Sequence, residues 1–435
     1  MFNKKFSLIG CLIVLVGLLG MGSGQVIAQD KITLRFAGWP EEASVKYNKV
    51  LIQSFEKKYP NLEVKYEPLI AYDLRKILTQ MAAGVAPDVF TGWGAHFRTW
   101  IEKGQLLDLD PFISKYMSEE DIADFYPVVY QGMSVDGKQW ALPKYANTTV
   151  LYYNKDLFDE VGLSYPKDIT LDWDTFRSYA KKLTKREEGK TTQWGLFVRQ
   201  LGLAWDAAFI WGNGGEINDP NNPKHFLLDQ PETIEAETFL QDLIWKDEVA
   251  PLGGDVSGMG GGYIFNTGRI GMVMGGTADL YLYKQYGIDF DISRYPMPVS
   301  TPAGGKPKPG VEKWEVVSCD AFVIYRNTRY PEEAFKFLQH ITSYEGGKVR
   351  LEGRGLQPLR KSLYQSYEEW GGSINTKIGM DALGVARLHP AHYYVKPAQV
   401  QPILQPVLDK IFILNTVSAE EGLKELVKTL ETFYK

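Results

Sequence analysis

Short amphipathic and alternating runs, separated by proline and glycine, divide this chain into a regular succession of strands and helices. Ile32-Thr-Leu-Arg-Phe36 alternates apolar and polar positions as a half-buried strand does, and Ala37-Gly38-Trp39-Pro40 breaks it. Val45 to Tyr59 predicts a helix with Val45, Leu51, Ile52, Phe55 and Tyr59 on one side and Pro60 as its stop. Leu62-Glu-Val-Lys-Tyr66 predicts a second strand. Asp73 to Ala83 predicts a second helix closed by Gly84, and Asp88-Val-Phe90 a third strand. This β-α-β-α-β order implies a parallel sheet with right-handed crossovers. Ligands of such sheets bind outside the carboxyl ends of the strands, here Trp39 to Glu42 and Thr91 to Ala95.

A second α/β region starts at Thr149-Val-Leu-Tyr-Tyr153. It predicts helices over Asp172 to Thr184 and Thr233 to Asp247, and strands at Trp194 to Val198, Ile270 to Met274 and Ala321 to Tyr325. The last third is helical, from Pro331 to Tyr344 through to a final helix announced by the capping-box pattern Ser418-Ala-Glu-Glu421. Gly253 to Gly262 is glycine-dense but matches no dinucleotide fingerprint, and the chain has no Gly-Lys-Ser/Thr P-loop, so a flexible turn is expected there. No repeat or low-complexity linker separates the regions. Two interleaved domains, crossed by ordinary strands, fit this better than beads on a string.

The N-terminus says where the protein works. Lys4 and Lys5 precede an apolar, glycine-punctuated run from Phe6 to Ala28, ending in Val26-Ile27-Ala28 ahead of Asp30-Lys31. These are the parts of a secretory signal peptide over residues 1–28, with cleavage expected after Ala28 and a periplasmic product. The alternative is an uncleaved anchor on the outer face of the plasma membrane, since the run is long enough to span a bilayer. Leu8-Ile9-Gly10-Cys11 looks like a lipoprotein box, but the apolar run follows Cys11 instead of preceding it, so lipidation is not expected. Removal of the leader leaves Cys319 alone, which excludes an internal disulfide and a zinc site built on cysteines. At about 400 mature residues, a core split over two domains can hold the fold.

The mature balance of 46 basic against 53 acidic residues argues against nucleic acid or anionic membrane as the main partner. More telling are 11 Trp, 25 Tyr and 21 Phe, because several stand beside glycines or polar residues in apparent loops, where a ring faces a ligand.

Several segments in order carry a resemblance. They are Gly84-Val-Ala-Pro-Asp-Val89, Trp140-Ala-Leu-Pro143, Leu151-Tyr-Tyr-Asn-Lys-Asp-Leu157, Asp172-Trp-Asp-Thr-Phe176 with Lys181-Lys-Leu-Thr184, Gly268-Arg-Ile-Gly-Met272, Ala334-Phe-Lys-Phe-Leu338 with Ser343-Tyr-Glu-Gly346, and Gly355-Leu-Gln-Pro358. Over essentially the whole mature chain they resemble the extracellular solute-binding proteins of ABC sugar importers, the group that contains the maltodextrin-binding proteins. The resemblance implies an α/β, two-lobe periplasmic-binding-protein fold that closes a cleft by hinge motion. It places lobe one at 29–146 plus 296–327 and lobe two at 147–295 plus 328–435, with crossings near Tyr145 to Thr149 and Arg294 to Pro298. It implies a monomer that binds a di- or oligosaccharide, or a glycoside, and hands it to ABC permease subunits. No cofactor and no metal are expected.

A sugar offers apolar C–H faces and a rim of hydroxyls, so its site supplies flat rings and a few fixed polar groups. Trp39 with Glu41 and Glu42 stands at the first strand end, where the carboxylates serve either a ligand or the helix dipole. Trp93, between Gly92 and Gly94, follows the third strand and is poorly packed by its neighbours. Tyr145 and Asn147 face the cleft by analogy. Trp205 and Trp211 are six apart, so a helix cannot place both rings on one face, and one is expected in the core. Asp206 can accept hydroxyl bonds or cap a helix. Thr277 follows a strand in Gly275-Gly-Thr-Ala-Asp279, where relatives often carry a tryptophan that this chain lacks. Trp314 lies just before a returning strand, and Arg354 either grips a diol or carboxylate or is a solvated loop charge.

His389-Pro-Ala-His392 has a proline inside its spacing and is expected in a surface loop rather than as a zincin pair. The rival function is an exported glycoside hydrolase with a carboxylate pair. Glu41, Glu42 and Asp206 could be recruited, but their spacing does not demand it. No Gly-x-Ser-x-Gly elbow is present, and the strands do not repeat as in a barrel.

Overall fold

The computed structural model describes residues 31–69, 75–167, 169–198, 203–251 and 264–435. The leader, the expected helix start at Asp73 and the whole glycine-dense stretch from Gly253 to Gly262 lie outside them.

The chain opens with strand β1 (Ile32–Gly38), helix α1 (Glu42–Lys58), β2 (Leu62–Pro68), α2 (Arg75–Ala82), β3 (Val89–Trp93) and α3 (Ala95–Glu102). α1 forms because Tyr47, Leu51, Ile52 and Phe55 make one buried stripe, with no proline before Pro60. β1 pairs in parallel with both β2 and β3. The 13-residue β4 (Leu142–Asn154) follows, almost wholly buried. Then come α4 (Trp173–Leu183), β5 (Lys185–Glu187), β6 (Lys190–Val198), α5 (Ala207–Gly212), α6 (Pro231–Trp245), β7 (Ile270–Gly276), β8 (Phe290–Ser293) and β9 (Glu315–Ile324). The end of the chain adds α7 (Pro331–Thr342), α8 (Tyr344–Arg354), α9 (Lys377–Val385), β10 (Ala386–Leu388), α10 (Pro397–Phe412) and α11 (Ala419–Tyr434). Ser418 and Glu421 make the reciprocal capping box on α11, a device that contributes about 1 kcal/mol.

Among the described residues these strands join in one mixed sheet of order β2-β1-β3-β9-β4-β7-β6-β5, with β8 paired to β4 and β10 to β9. β4 is the strand common to both halves. It pairs with β9 from Leu142 to Thr148, and with β7 and β8 from Thr149 onward. The change of partner falls between Thr148 and Thr149.

Pleating sends alternate residues of β1 and β3 to different cores. Phe36 and Val89 pack with Phe55, Phe322, Phe337 and Leu338 in the first half. Ala37 and Phe90 join a core that continues through Tyr152, Phe265 and Val273 into the second. A third core, around Phe176, Phe209, Leu240, Leu404 and Leu426, belongs to the second half.

Two expected boundaries move. Residues 295–308 stay on the second half, because Met297 exchanges backbone hydrogen bonds with Leu171 and Trp173 and Lys308 N–H donates to Gly212 O. The return to the first half is made by β9, not near 296. Residues 331–354 belong to the first half instead of the second. The Phe335, Phe337, Leu338 and Ile341 face of α7 is shared with Phe36 and Phe55, and α8 lies along α1. The second half regains the chain by Asn375, whose N–H donates to Asp291 at 2.7 Å.

Candidate functional site

The carboxyl ends of β1 and β3, the middle of β9 and the crossing segment of β4 meet at one place. Register sets Trp93 opposite Asp320 and Asp320 opposite Tyr145. Directly paired residues of an antiparallel sheet present their side chains to the same face, so this is one row across three strands. The Asp320 carboxylate receives the indole N–H of Trp39 and the hydroxyl of Tyr145. Asp320 is only 8% exposed, and burial pushes its carboxyl up while Lys144 and these two donors oppose the rise.

Beside the row, Glu41 and Arg354 pair at 3.2 Å, and the guanidinium also reaches Ser44 Oγ at 3.3 Å. Arg354 is therefore not a solvated loop charge. One Glu41 oxygen and the Lys144 ammonium are buried without a hydrogen-bond partner among the described residues. Rings and ionisable groups are thus gathered in a dry setting, where a polar contact with a guest is stronger than in water.

The histidine pair closes this region from the second half. Pro390–His392 forms a short 3-10 turn after the buried His389, and His392 is half-buried with its Nε2 enclosed; the sequence expectation of a surface loop is corrected. β10 pairs with β9 and carries the chain back beside β3. His389 packs edge-on to both Trp93 (6.2 Å) and Trp205 (5.8 Å), and Trp93 also meets His96 at 5.3 Å. Burial lowers His389 to about 4 and, with help from His389, lowers His392 to about 3, so both are neutral bases. His392 Nε2 is enclosed and has no hydrogen-bond partner among the described residues. A neutral imidazole nitrogen of this kind can exchange a hydrogen bond with a hydroxyl.

The remaining candidates lie elsewhere. Glu42 is exposed on α1 and pairs with Lys46 at 2.7 Å, so it serves the helix. Asp206 is fully buried and its oxygens accept from Leu203 N–H (3.2 Å) and Ala204 N–H (2.6 Å), closing the turn before α5. Trp205 and Trp211 both belong to the second-half core, 8% and 2% exposed, with Trp211 beneath the Arg387 guanidinium at 4.2 Å, so burial does not single out one of the pair. Trp314 is half-buried against the second-half core.

Asn147 and Thr277 bind the crossing of β4 to its surroundings. Asn147 Oδ1 accepts from Ala278 N–H at 2.9 Å. Gln357 Oε1 receives both the Thr277 and the Thr148 hydroxyls, while its amide donates to Gly379 O at 2.6 Å. Gly276 is needed there, because a Cβ would lie 2.3 Å from Asn147 Oδ1.

The model of the bacterial extracellular solute-binding protein family matches residues 36–348, most of the chain. The chain belongs to that family. The maltodextrin-binding protein MdxE of Bacillus subtilis is 23% identical over 390 residues, covering 87% of this chain and 86% of its own. The mannitol-binding protein of Pseudomonas aeruginosa is 30% identical over 176 residues, 40% of this chain and 38% of that protein. Among solved structures, a Listeria monocytogenes substrate-binding protein in complex with cycloalternan superposes with TM-score 0.79 at 23% identity, covering 93% and 99% of the two chains. The maltotriose-bound MalE domain of Bdellovibrio bacteriovorus gives 0.72 at 18%, covering 93% and 100%. These likenesses fix the fold as that of the two-lobe solute-binding proteins. The solute-binding family is one of transport components, so the chain is a binding protein and not a hydrolase. No described helix is long and apolar enough to cross a membrane.

Asp320, Lys144, His389 and His392 were missed or set aside by sequence reasoning. The signal for Asp320 was present: it is the one acid in the apolar run Val316 to Ile324.

Proposed function

We propose that this solute-binding protein captures a di- or oligosaccharide between its two lobes and delivers it to the membrane permease of an ABC importer. The observation that carries this reading is the row Trp93, Asp320, Tyr145, with Trp39 bonded to the same carboxylate. Flat rings suit the C–H faces of a pyranose, and a carboxylate accepts its hydroxyls by charge-assisted hydrogen bonds. Trp205, His389 and His392 supply the opposing wall, so a guest that touches both walls favours the closed arrangement. The hinge is the partner change in β4, held by Asn147, Thr148, Thr277 and Gln357.

The leader routes the chain out of the cytoplasm, is cut after Ala28, and leaves a monomer in the periplasm. Titration calorimetry of the mature protein against mono-, di- and oligosaccharides tests the reading. A polyol belongs in the panel because the mannitol-binding relative matches part of the chain. Binding of a saccharide with micromolar or better affinity is expected; no heat with any sugar or polyol would remove it.

A further inference from the structure

Beneath the crossing of β4, away from Trp93, lies a small cavity of about 10 Å³, room for a single water-sized or monatomic guest. Its wall includes three cationic side chains, Lys144, Arg350 and Arg360, which are 2%, 3% and 5% exposed. Ser343 and Gly347 of the first turn of α8 also line it, so the positive end of an 11-residue helix adds to the same potential.

The carboxylates nearby do not balance these cations. Arg360 pairs with Asp124 at 3.1 Å and donates to Thr342 O at 2.9 Å. Lys144 has the field of Asp320, whose oxygens are engaged by Trp39 and Tyr145, and the faces of the Trp39, Tyr145 and Phe322 rings at 5.7, 5.5 and 5.3 Å, but among the described residues its Nζ has no hydrogen-bond partner. Among the described residues no carboxylate pairs with Arg350; it donates to Ile341 O and lies over the Phe322 ring at 5.9 Å. Three cations against two carboxylates leave one positive charge uncompensated in a place water barely enters. A buried unpaired charge is strongly unfavourable, and a bound counter-ion removes that cost.

We propose that this cavity is a structural site for a monatomic anion of the halide class, chloride in the natural setting. Lys144 and Arg350 provide the main contacts, with Arg360 and the α8 terminus behind them. The space excludes sulfate and phosphate. The cavity lies on the first half and shares Lys144 and Tyr145 with the proposed saccharide site, but its halide readouts need no sugar, so it stands whether or not the proposed ligand is correct.

The test is the melting temperature of the purified protein in chloride, bromide, sulfate and gluconate salts at equal ionic strength, joined to diffraction at the bromine edge from bromide-soaked crystals. Saturating chloride or bromide is expected to raise the midpoint by about 2–4 °C over gluconate, with no gain from sulfate. An anomalous peak is expected within contact of Lys144 Nζ and the Arg350 guanidinium. In Lys144→Met the halide gain should vanish. Should that variant not fold, Arg350→Met and the wild-type anomalous map decide the matter. Equal melting in all salts, a halide gain retained in both variants, or a cavity holding only water in bromide crystals would each overturn the proposal.

Discussion

The indole N–H of Trp39 donates to the carboxylate of Asp320, a residue 281 positions further along the chain. Trp39 ends the first strand, and Asp320 sits inside the strand that returns from the second half. Their bond ties the carboxylate down without using all its lone pairs, since an ionised carboxylate offers about four acceptor sites. The site depends on this juxtaposition, which requires the interleaved topology.

Asp320→Asn should therefore weaken saccharide binding while leaving the fold intact. The amide keeps the size and one acceptor but loses the charge-assisted bonds, each contributing about 1.5–3 kcal/mol. Calorimetry should show a dissociation constant raised about 10- to 150-fold. An unchanged constant would place the carboxylate outside the ligand's reach.

Trp93→Ala should also act on affinity more than on stability. Losing one stacking surface corresponds to about 1–3 kcal/mol of binding on the scale of apolar side-chain burial, about ten- to hundredfold in dissociation constant. A core tryptophan would instead cost about 3–5 kcal/mol of stability. Denaturant melts and titrations on the same variant separate the two, and a badly lowered midpoint with normal affinity would assign Trp93 to the core.

Glu237 on α6 is fully buried, among the described residues neither of its oxygens has a hydrogen-bond partner, and burial pushes its carboxyl well above the ordinary value with Asp206 adding to the shift. A raised carboxyl favours the folded state below its unfolded value near 4.5, and that contribution is lost as pH rises. Glu237→Met should stabilise the protein by about 1–3 kcal/mol near neutral pH, and by less in acid. Thermal melts across the range check this, and a destabilised variant at high pH would show that the carboxylate has a role of its own.

The histidines act with the opposite sign. His389 and His392 are held neutral, so their contribution is fully present above the unfolded value near 6.5 and is lost as pH falls towards about 4 and about 3. The melting temperature should drop through that window, and less steeply in His392→Asn. Identical slopes for wild type and variant would mean that the ring does not stay neutral on folding.

Much of the fold was legible because it rests on local pattern. The strand at Ile32, the stripe of α1 and the Ser418 capping box are written in neighbouring residues, and they stand within a few positions of the expectation. Boundaries between halves were less legible. The α7 face of Phe335, Phe337 and Leu338 is an ordinary amphipathic stripe, and nothing in its spacing says which core receives it. The site divided in the same way. Trp39 and Trp93 stand at strand ends that breakers announce and Tyr145 was placed by analogy at the crossing, whereas Asn147 and Thr277 are engaged by partners such as Ala278 and Gln357 that only tertiary structure supplies. His389 and His392 were misread because proline in a short turn gives the same pattern on a surface and in an enclosed corner.

Small-angle scattering on the mature protein, with and without a saturating saccharide identified by titration, tests the central claim most directly. Capture between two lobes hinged at Thr148 and Thr149 predicts a smaller radius of gyration with ligand bound, and no such change in Asp320→Asn at the same concentration. An unchanged radius in the presence of a confirmed tight ligand would contradict the account.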